Sequence, residues 1–230
     1  MENRLIVTRA DENHDKISQL THPILKQYAE RCEADFLVLK EPYKNFHIHY
    51  RILQLYELFD KYDRILSVDT DIIILNKCPN IFDVVKQDTI ASIYEDVGSR
   101  QLDRRGRIQA MQTKFGDIGW TSGYINTGFA LFPKIYRDLF KVVSSDELWV
   151  GLGFDDVFLS YRINKFKYAF QELSYMYNFM SMFSEEWNGN VCRSNAYVIH
   201  YAGSGGFLTG RSRDDIIKED IILFRKYGAL

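Results

Sequence analysis

Two aspartates, Asp69 and Asp71, have the clearest chemical potential in this sequence, because they interrupt an apolar stretch that runs from 65 to 75. The β-branched residues on both sides predict a buried strand. In an extended chain, residues i and i+2 point to the same side, so both carboxylates can converge on one point. Two close anions repel each other unless a cation lies between them, and carboxylate oxygens suit Mg²⁺ or Mn²⁺. We therefore predict a divalent-metal site here, against the alternative of two solvated aspartates in a turn.

A histidine near the end of the chain is a candidate third ligand. His200 ends a predicted strand at 197–201 and precedes a glycine-rich turn at 202–206. Imidazole can complete a manganese site begun by two carboxylates, and the backbone N–H groups of a glycine-rich turn can approach a phosphate. A purely structural histidine at a strand end is the alternative.

The elements that must position these side chains alternate along the chain. Strands are predicted at 5–7, 36–39, 64–76, 89–94, 123–132, 168–173 and 197–201, and helices at 21–32, 48–62, 135–143, 157–166 and 213–227, with Thr21 as the cap of the first helix. This alternation indicates an α/β fold with a mostly parallel central sheet flanked by helices, and ligands of such sheets bind at the carboxyl ends of the strands. The arginine-rich stretch 96–121 is interpreted as a long loop, either a functional lid or a solvated excursion.

Length and composition limit the classes of function. The 230 residues suffice for one domain, 1–230, and 29 basic against 31 acidic residues give no electrostatic case for a nucleic-acid partner. Three widely spaced cysteines indicate neither a disulfide framework nor a CxxC metal site and favour a reducing compartment. We see no signal peptide and no apolar run long enough for a transmembrane segment, so we expect a cytoplasmic protein.

Four further polar residues lie within predicted helices and strands or at their starts, where the pattern of apolar residues does not explain them. Arg51 lies on the inward-facing stripe of a predicted helix and needs an anionic partner, either an internal carboxylate or a ligand. Asn126 lies within a predicted strand, so its amide must find hydrogen-bond partners. Asp155 can cap the helix that follows, whereas Asp156 is not needed for that cap. All four are candidate site residues.

Taken together, these residues resemble the family 8 glycosyltransferases of the GT-A fold. The resemblance extends from residue 5 to 207 and rests on six motifs in chain order, namely Ala10-Asp11 with Asn13 and His14, Tyr50-Arg51, Asp69-Thr70-Asp71, Asn126-Thr127-Gly128, Asp155-Asp156 and His200-Tyr201-Ala202-Gly203. Each motif alone is weak, but six in order are fairly specific.

The resemblance implies an enzyme that transfers a hexose from a UDP-sugar, UDP-glucose or UDP-galactose, to a glycan or another hydroxyl acceptor with retention of configuration. Mn²⁺ or Mg²⁺ held by Asp69, Asp71 and His200 would neutralise the leaving diphosphate. Asp155 or Asp156 would lie near the anomeric centre as nucleophile or charge stabiliser. Arg51 and Asn126 complete the implied catalytic set. We predict that the donor-binding residues are Thr8, Ala10, Asp11, Asn13, His14, Asp69, Thr70, Gly203 and Arg211, and the resemblance implies that Asp11 contacts the uracil ring.

The sequence departs from the family pattern at three positions. Gly206 stands where the family has a diphosphate-binding lysine, Asp156 where it has glutamine, and His14 where it has an aromatic residue near the base. Arg211 is the first candidate for the missing cation, with Arg213 and the arginines of 100–107 as alternatives.

Two other functions stay open on the sequence alone. A sugar nucleotidyltransferase would usually carry a glycine-rich N-terminal loop, and residues 5–13 contain no glycine. A non-catalytic nucleotide-sugar-binding domain of the same fold is the second alternative.

Overall fold

A computed structural model of the chain describes residues 2–203 and 211–230. In this part the strands are β1 (Arg4–Arg9), β2 (Asp35–Leu39), β3 (Arg64–Asp69), β4 (Ile72–Ile74), β5 (Ile90–Ser92), β6 (Phe129–Pro133), β7 (Phe170–Glu172), β8 (Phe179–Met180) and β9 (Val198–His200). The α-helices are α1 (Asp15–Arg31), α2 (Leu55–Leu58), α3 (Ile81–Val84), α4 (Gln101–Phe115), α5 (Phe154–Phe166) and α6 (Arg213–Lys226). None of these helices has the length and apolar composition needed to cross a membrane.

A six-stranded sheet in the order β2-β1-β3-β6-β5-β7 forms the centre of the fold. β1 pairs in parallel with β2 and β3, and β5 pairs in parallel with β7, whereas β6 runs antiparallel between β3 and β5. A second sheet has the order β4-β9-β8. The predicted α/β fold with a mostly parallel central sheet is confirmed.

The inner strands of the central sheet are mainly apolar and buried, because both faces of the sheet are covered. Leu5 and Val7 of β1 pack into one core cluster together with Phe158 of α5. Ile6, whose side chain points to the opposite face, packs into a second cluster with Tyr28 of α1. The alternation of side chains thus places a helix layer on each face and leaves the strand ends as the place for polar groups.

Strand register brings the chemically interesting residues together. In the parallel pair of β1 and β3, Arg9 lies opposite Asp69. In the antiparallel pair of β4 and β9, Ile72 lies opposite His200, which places the imidazole beside Asp71. Because β3 and β4 are separated only by the turn at 70–71, both sheets contribute to one edge.

The first helix begins earlier than the sequence pattern predicted. α1 begins at Asp15, after a 3-10 turn at Glu12–His14, so the predicted cap at Thr21 is wrong. The Thr21 hydroxyl lies 3.0 Å from the carbonyl oxygen of Ile17 and 2.6 Å from that of Thr70. A threonine that satisfies its hydroxyl on a carbonyl one turn earlier can lie inside a helix, which is why the cap signal misled.

The stretch 96–121, predicted to be a long loop, is mostly helix α4. The buried residues of α4 are Arg104, Ile108 and Met111, at spacings of four and three. The helical periodicity was therefore present, but an arginine occupies one of its three inward positions and hides the apolar pattern. The predicted helix at 48–62 is divided between a 3-10 segment, Ile48–Gln54, and the short α2, and the one predicted at 135–143 is the 3-10 segment Lys134–Phe140.

Candidate active site

Asp69, Asp71 and His200 form a cluster at the edge shared by the two sheets. One ligand atom from each residue lies within 4.8 Å of the others. His200 Nε2 lies 3.3 Å from Asp71 Oδ1 and 3.6 Å from Asp69 Oδ2. Two carboxylates and one imidazole are a donor set that suits Mn²⁺ or a similar divalent ion.

Gly128 leaves the space that a cation at this cluster would need. A Cβ atom added at Gly128 would lie 2.5 Å from His200 Cε1 and 2.9 Å from Asp69 Oδ2. The backbone N–H of Asp69 donates a hydrogen bond to the carbonyl oxygen of Gly128 over 2.8 Å, which fixes the two segments against each other. Any side chain at this position would fill the space between the ligands, so the residues present fit a bound divalent ion.

The His200 imidazole is oriented by a chain of buried amides. Its Nδ1 lies 2.9 Å from Asn178 Oδ1, and Asn178 Nδ2 donates to Asn126 Oδ1 over 2.8 Å. With Asn178 Oδ1 as acceptor, Nδ1 carries the proton and Nε2 faces the carboxylates, as metal-binding histidines require. Burial opposes protonation of His200, but the carboxylates of Asp71 and Asp69 outweigh it and raise its pKa. Asn126 lines the cavity, and its catalytic role stays a prediction. Asn178 was missed because it lies outside any regular pattern.

We call Asp69, Asp71 and His200 the metal-ligand cluster. Arg9 connects this cluster to the start of α5. Its Nη2 lies 2.6 Å from Asp69 Oδ1 and its Nη1 lies 2.7 Å from Asp155 Oδ2. Burial disfavours the charged guanidinium, yet the two carboxylates outweigh burial and raise the pKa of Arg9. The sequence analysis missed this residue, although a basic residue at the end of a buried strand was a signal that it needed an acidic partner.

The two aspartates at the start of α5 differ in their surroundings. The backbone N–H of Thr127 donates to Asp156 Oδ1 over 2.8 Å, and the Thr127 hydroxyl lies 3.0 Å from Asp155 Oδ2 and 2.8 Å from Asp156 Oδ1. Burial, followed by the neighbouring charges of Asp155 and Glu95, raises the pKa of Asp156 well above its ordinary value. Asp155, in contrast, has the Arg9 guanidinium as a counter-ion.

The entry into α5 depends on a glycine. Gly153 has a φ of +88°, in the left-handed region, and a Cβ there would lie 2.1 Å from the hydroxyl oxygen of Tyr124. This tight turn directs Asp155 and Asp156, in the first turn of the helix, toward Thr127 in the segment that precedes β6.

The cluster of Asp69, Asp71 and His200 lines one cavity of about 510 Å³ together with Arg9, Asn126, Thr127 and the two aspartates of α5. The charged residues of its wall are Arg9, Arg51, Arg100, Arg104 and Arg213, together with Asp69, Asp71, Glu95, Asp155 and Asp156. Five basic and five acidic side chains leave little net charge when all are ionised, and a protonated Asp156 would leave a positive surplus. A cavity with this wall suits a ligand that combines anionic and neutral polar parts.

Comparison with known protein families shows to which family the chain belongs. The model of the family described as "Glycosyl transferase family 8" matches residues 6–205. The chain belongs to glycosyl transferase family 8. A search of curated proteins finds no match.

Solved structures of glycosyltransferases share the architecture of this family 8 chain. LgtC, in complex with donor and acceptor sugar analogs, superimposes with a TM-score of 0.63 at 16% identity over 94% of both chains. A glycosyltransferase involved in the glycosylation of the major capsid of PBCV-1 gives 0.60 at 15% identity, over 94% of this chain and 99% of that one. GlyE of Streptococcus pneumoniae TIGR4 gives 0.58 at 14% identity, with 99% of this chain matched to 64% of GlyE. These TM-scores establish a shared GT-A-like fold.

The predicted base-binding residues form an ion-paired group beside the cavity. Asp11 Oδ1 lies 2.8 Å from His14 Nδ1, and Asp11 Oδ2 lies 2.9 Å from Arg51 Nη2. Burial opposes ionisation of Asp11, but the hydrogen bonds from His14 and Arg51 outweigh it and lower its pKa to about 2. The anionic partner of Arg51 is therefore an internal carboxylate in this structure, and His14 and Arg51 both line the cavity.

The other predicted donor-binding residues lie around the same edge. Thr8 is fully buried, and its Oγ1 has no hydrogen-bond partner in the described part of the chain. The backbone N–H of Ala10 donates a hydrogen bond to the carbonyl oxygen of Leu39 over 3.2 Å, and that of Asn13 donates to Asp11 Oδ1 over 3.0 Å. Thr70 lies in the cavity wall with its Oγ1 2.9 Å from His22 Nε2. Gly203, with a φ of +86°, also lines the cavity.

The structure separates the two arginines considered for the missing cation. Arg211 forms an ion pair with Glu219, and its side chain remains 43% exposed. Arg213 lines the cavity, with its Nη1 2.8 Å from Asp71 Oδ2. Gly206 lies outside the described residues. The geometry therefore favours Arg213 over Arg211, while a role for either arginine in donor binding stays a prediction.

A buried ion pair in the cavity wall was also missed. Arg104 donates to Glu95 through Nε over 2.9 Å and through Nη2 over 2.6 Å. This bidentate pair joins the start of α4 to the segment after β5 and carries two charges into the wall. The helical spacing of Arg104 with Ile108 and Met111 was the signal that could have revealed it.

Proposed function

We propose that this family 8 chain is a metal-dependent glycosyltransferase that transfers a hexose from UDP-glucose or UDP-galactose to a hydroxyl group of a glycan or another acceptor, with retention of configuration. One observation carries the proposal. The cluster of Asp69, Asp71 and His200 shares a cavity with Asp155, and Arg9 contacts both Asp69 and Asp155. A site for a metal-bound diphosphate and a carboxylate for the sugar are thus adjacent.

Asp69, Asp71 and His200 would hold the divalent ion, Mn²⁺ or Mg²⁺. Bound there, the ion would act as a Lewis acid that neutralises the charge developing on the leaving diphosphate. Arg213, already beside Asp71, would place a second cation next to the same phosphate oxygens. This arrangement supports a nucleotide-diphosphate sugar as donor.

Asp155 is the better candidate of the two α5 aspartates for stabilising positive charge at the anomeric carbon. Arg9 and Thr127 hold its carboxylate in place, and the Arg9 guanidinium is its counter-ion. The raised pKa of Asp156 favours the protonated, uncharged form for that residue. Asp155 would act as nucleophile or as electrostatic stabiliser, and Asp156 would position Thr127 and the substrate by hydrogen bonds.

Asp11 would select the base. Its carboxylate accepts hydrogen bonds from His14 and Arg51 and retains lone pairs for a further donor. The imide N–H of uracil would supply that donor, and cytosine, which lacks it, would leave the carboxylate poorly satisfied. We therefore propose UDP as the nucleotide.

The test combines nucleotide binding with turnover. Calorimetry with UDP, CDP and GDP in the presence of Mn²⁺ should show the tightest binding for UDP, and Asp11→Ala should reduce that preference. A panel of UDP-, GDP- and dTDP-sugars should show donor hydrolysis with a UDP-hexose. Binding of UDP without turnover of any donor would instead indicate a non-catalytic binding domain. Formation of a UDP-sugar from UTP and a sugar phosphate would indicate a nucleotidyltransferase.

A further inference from the structure

Arg100 contributes a guanidinium to the cavity wall at the N-terminal end of α4. The side chain is half-buried, and its Cζ lies 4.3 Å from the ring centroid of Phe183 and 5.8 Å from that of Trp187. The two aromatic rings, which are tilted against each other by 46°, contact the guanidinium through its face, and such a contact does not use its N–H groups. The contact therefore presents a fixed cation to the cavity.

Arg100 differs from the other cavity arginines in lacking a carboxylate partner. The other four form ion pairs, Arg9 with Asp69 and Asp155, Arg51 with Asp11, Arg104 with Glu95, and Arg213 with Asp71. Within residues 2–203 and 211–230, no carboxylate oxygen lies within 4.0 Å of the Arg100 guanidinium. Met1 and the segment 204–210, whose sequence is SGGFLTG, contain no acidic side chain. The chain thus offers Arg100 no side-chain carboxylate to pair with.

An unpaired cation in a partly dry wall is energetically costly. Burial and the neighbouring Arg104 both lower the pKa of Arg100. Glu95 and Asp103 act in the opposite direction but are outweighed, and both oxygens of Glu95 already accept hydrogen bonds from Arg104. A planar carboxylate or a phosphate from a ligand would relieve this cost, since either group matches the donor fork of a guanidinium.

The carboxylates of the proposed metal site already have arginine partners. Arg9 pairs with Asp69, and Arg213 pairs with Asp71. Arg100 stands apart from these pairs, at the start of α4, and its guanidinium is available for an anion other than the diphosphate. The second substrate of the proposed glycosyl transfer is the acceptor.

We propose that Arg100, backed by Phe183 and Trp187, binds a carboxylate or phosphate group carried by the sugar acceptor. The proposal rests on the proposed glycosyltransferase function and narrows its acceptor to an anionic saccharide. A bidentate contact from Arg100 to that group would orient the acceptor hydroxyl toward the sugar held near Asp155.

The experiment compares matched charged and neutral sugars. Methyl β-glucuronide, glucose 6-phosphate and methyl β-glucoside are titrated by saturation-transfer NMR into wild type, Arg100→Gln, Arg100→Lys and Arg105→Gln, each with UDP and Mn²⁺. Arg105 is the control, because it lies on the same helix, is 45% exposed, and contacts Asp96 rather than the cavity. UDP-glucuronate and UDP-glucose are titrated in parallel.

We expect wild type and Arg105→Gln to bind at least one anionic sugar roughly 10-fold more tightly than the neutral glucoside. Arg100→Gln should lose this preference, and Arg100→Lys should keep part of it, because a lysine retains the charge without the fork. Equal affinity for all three sugars in wild type, or an unchanged preference in Arg100→Gln, would overturn the proposal. An effect of Arg100→Gln confined to UDP-glucuronate would also overturn it, by assigning the anion to the donor.

Donor hydrolysis and UDP binding in the same samples keep this test separate from that of the proposed function. Normal hydrolysis without a preference for anionic sugars would contradict only the role of Arg100. If the wild-type protein does not bind UDP, the proposed glycosyltransferase function itself is contradicted. Thermal unfolding of each variant measures how much the contact of Arg100 with Phe183 contributes to stability. If this contact serves stability alone, Arg100→Gln will lower the unfolding temperature and leave the preference for anionic sugars unchanged.

Discussion

The two sides of the cavity are built in different ways. On one side, Asp69 and His200 stand at strand ends, where the registers of β1–β3 and β4–β9 fix their positions. On the other side, Asp155 lies in the first turn of α5 and Arg100 precedes α4, and an ion pair and a contact with aromatic rings fix these side chains. Backbone pairing gives the first side a geometry that side-chain changes alter little. The second side can exchange its partners when a substrate arrives.

The largest effect should come from the helix side at Asp155. Asp155→Asn keeps the shape but removes the charge that Arg9 and Thr127 hold in place. Donor hydrolysis should fall by roughly 10³-fold, while the affinity for UDP with Mn²⁺ changes little, because the residue acts on the sugar. Steady-state kinetics and calorimetry measure the two quantities. Asp60→Asn, an exposed aspartate paired with Arg137, is the control that should retain activity. A variant with full hydrolysis would exclude Asp155 from the chemistry.

On the strand side, Gly128→Ala should weaken metal binding by about 10²-fold, since its Cβ would lie 2.5 Å from His200 Cε1 and within the ligand cluster. Calorimetric titration with Mn²⁺ measures the loss. Gly106→Ala is the matched control, because a Cβ there meets nothing within 4 Å. Equal Mn²⁺ affinity in the two alanine variants would show that the space beside Gly128 is not used by a cation.

Arg213 and Arg211 provide a comparison within one segment. Arg213→Gln should weaken UDP-hexose binding by roughly 10-fold, because it removes a cation from the cavity beside Asp71. Arg211→Gln should have little effect, since Arg211 pairs with Glu219 and is 43% exposed. Binding assays with the intact donor measure both. The reverse order of effects would restore Arg211 as the cation that replaces the family lysine.

The smallest effect concerns stability and pH at Asp11. Its pKa is about 2 in the folded chain and ordinarily 3.8, so its ion pairs stabilise the fold above about pH 4, and the contribution is lost as the pH falls toward 2. Asp11→Asn should therefore lower the free energy of unfolding at pH 7 by on the order of 1 kcal/mol, a figure reduced for solvent screening. Urea unfolding of both proteins from pH 7 to pH 3 should show this difference shrink. A difference that is constant across this range would contradict the ion-pair explanation.

The difference between the two sides also explains what the sequence could predict. Asp69 and Asp71 were identifiable because apolar neighbours made a strand certain and because side chains alternate along it. His200 was identifiable as a candidate because it stands at the end of a predicted strand and precedes a glycine-rich turn. The structure places the turn at 70–71 between two sheets rather than within one strand, yet the two carboxylates still converge.

The helix side was harder to predict, because its geometry depends on partners far apart in the chain. The contacts of Arg9 with Asp155 and of Arg213 with Asp71 span 146 and 142 residues, and no local pattern encodes them. Helix α4 was mistaken for a loop because the inward position of Arg104 is satisfied by Glu95, nine residues earlier, rather than by apolar packing. The periodicity of apolar residues therefore cannot reveal buried arginines that form ion pairs with buried aspartates or glutamates.

The central claim, a divalent ion held by Asp69, Asp71 and His200, is tested most directly by titrating Mn²⁺ into the metal-depleted chain in the presence of UDP. The account predicts one binding site in wild type and in the control Asp60→Asn. It predicts a loss of affinity of at least about 10²-fold in Asp71→Asn, which keeps the size of the side chain and removes its charge. Circular dichroism should show the same fold in all three proteins. Mn²⁺ affinity in Asp71→Asn equal to that of wild type, with the fold intact, would contradict the account.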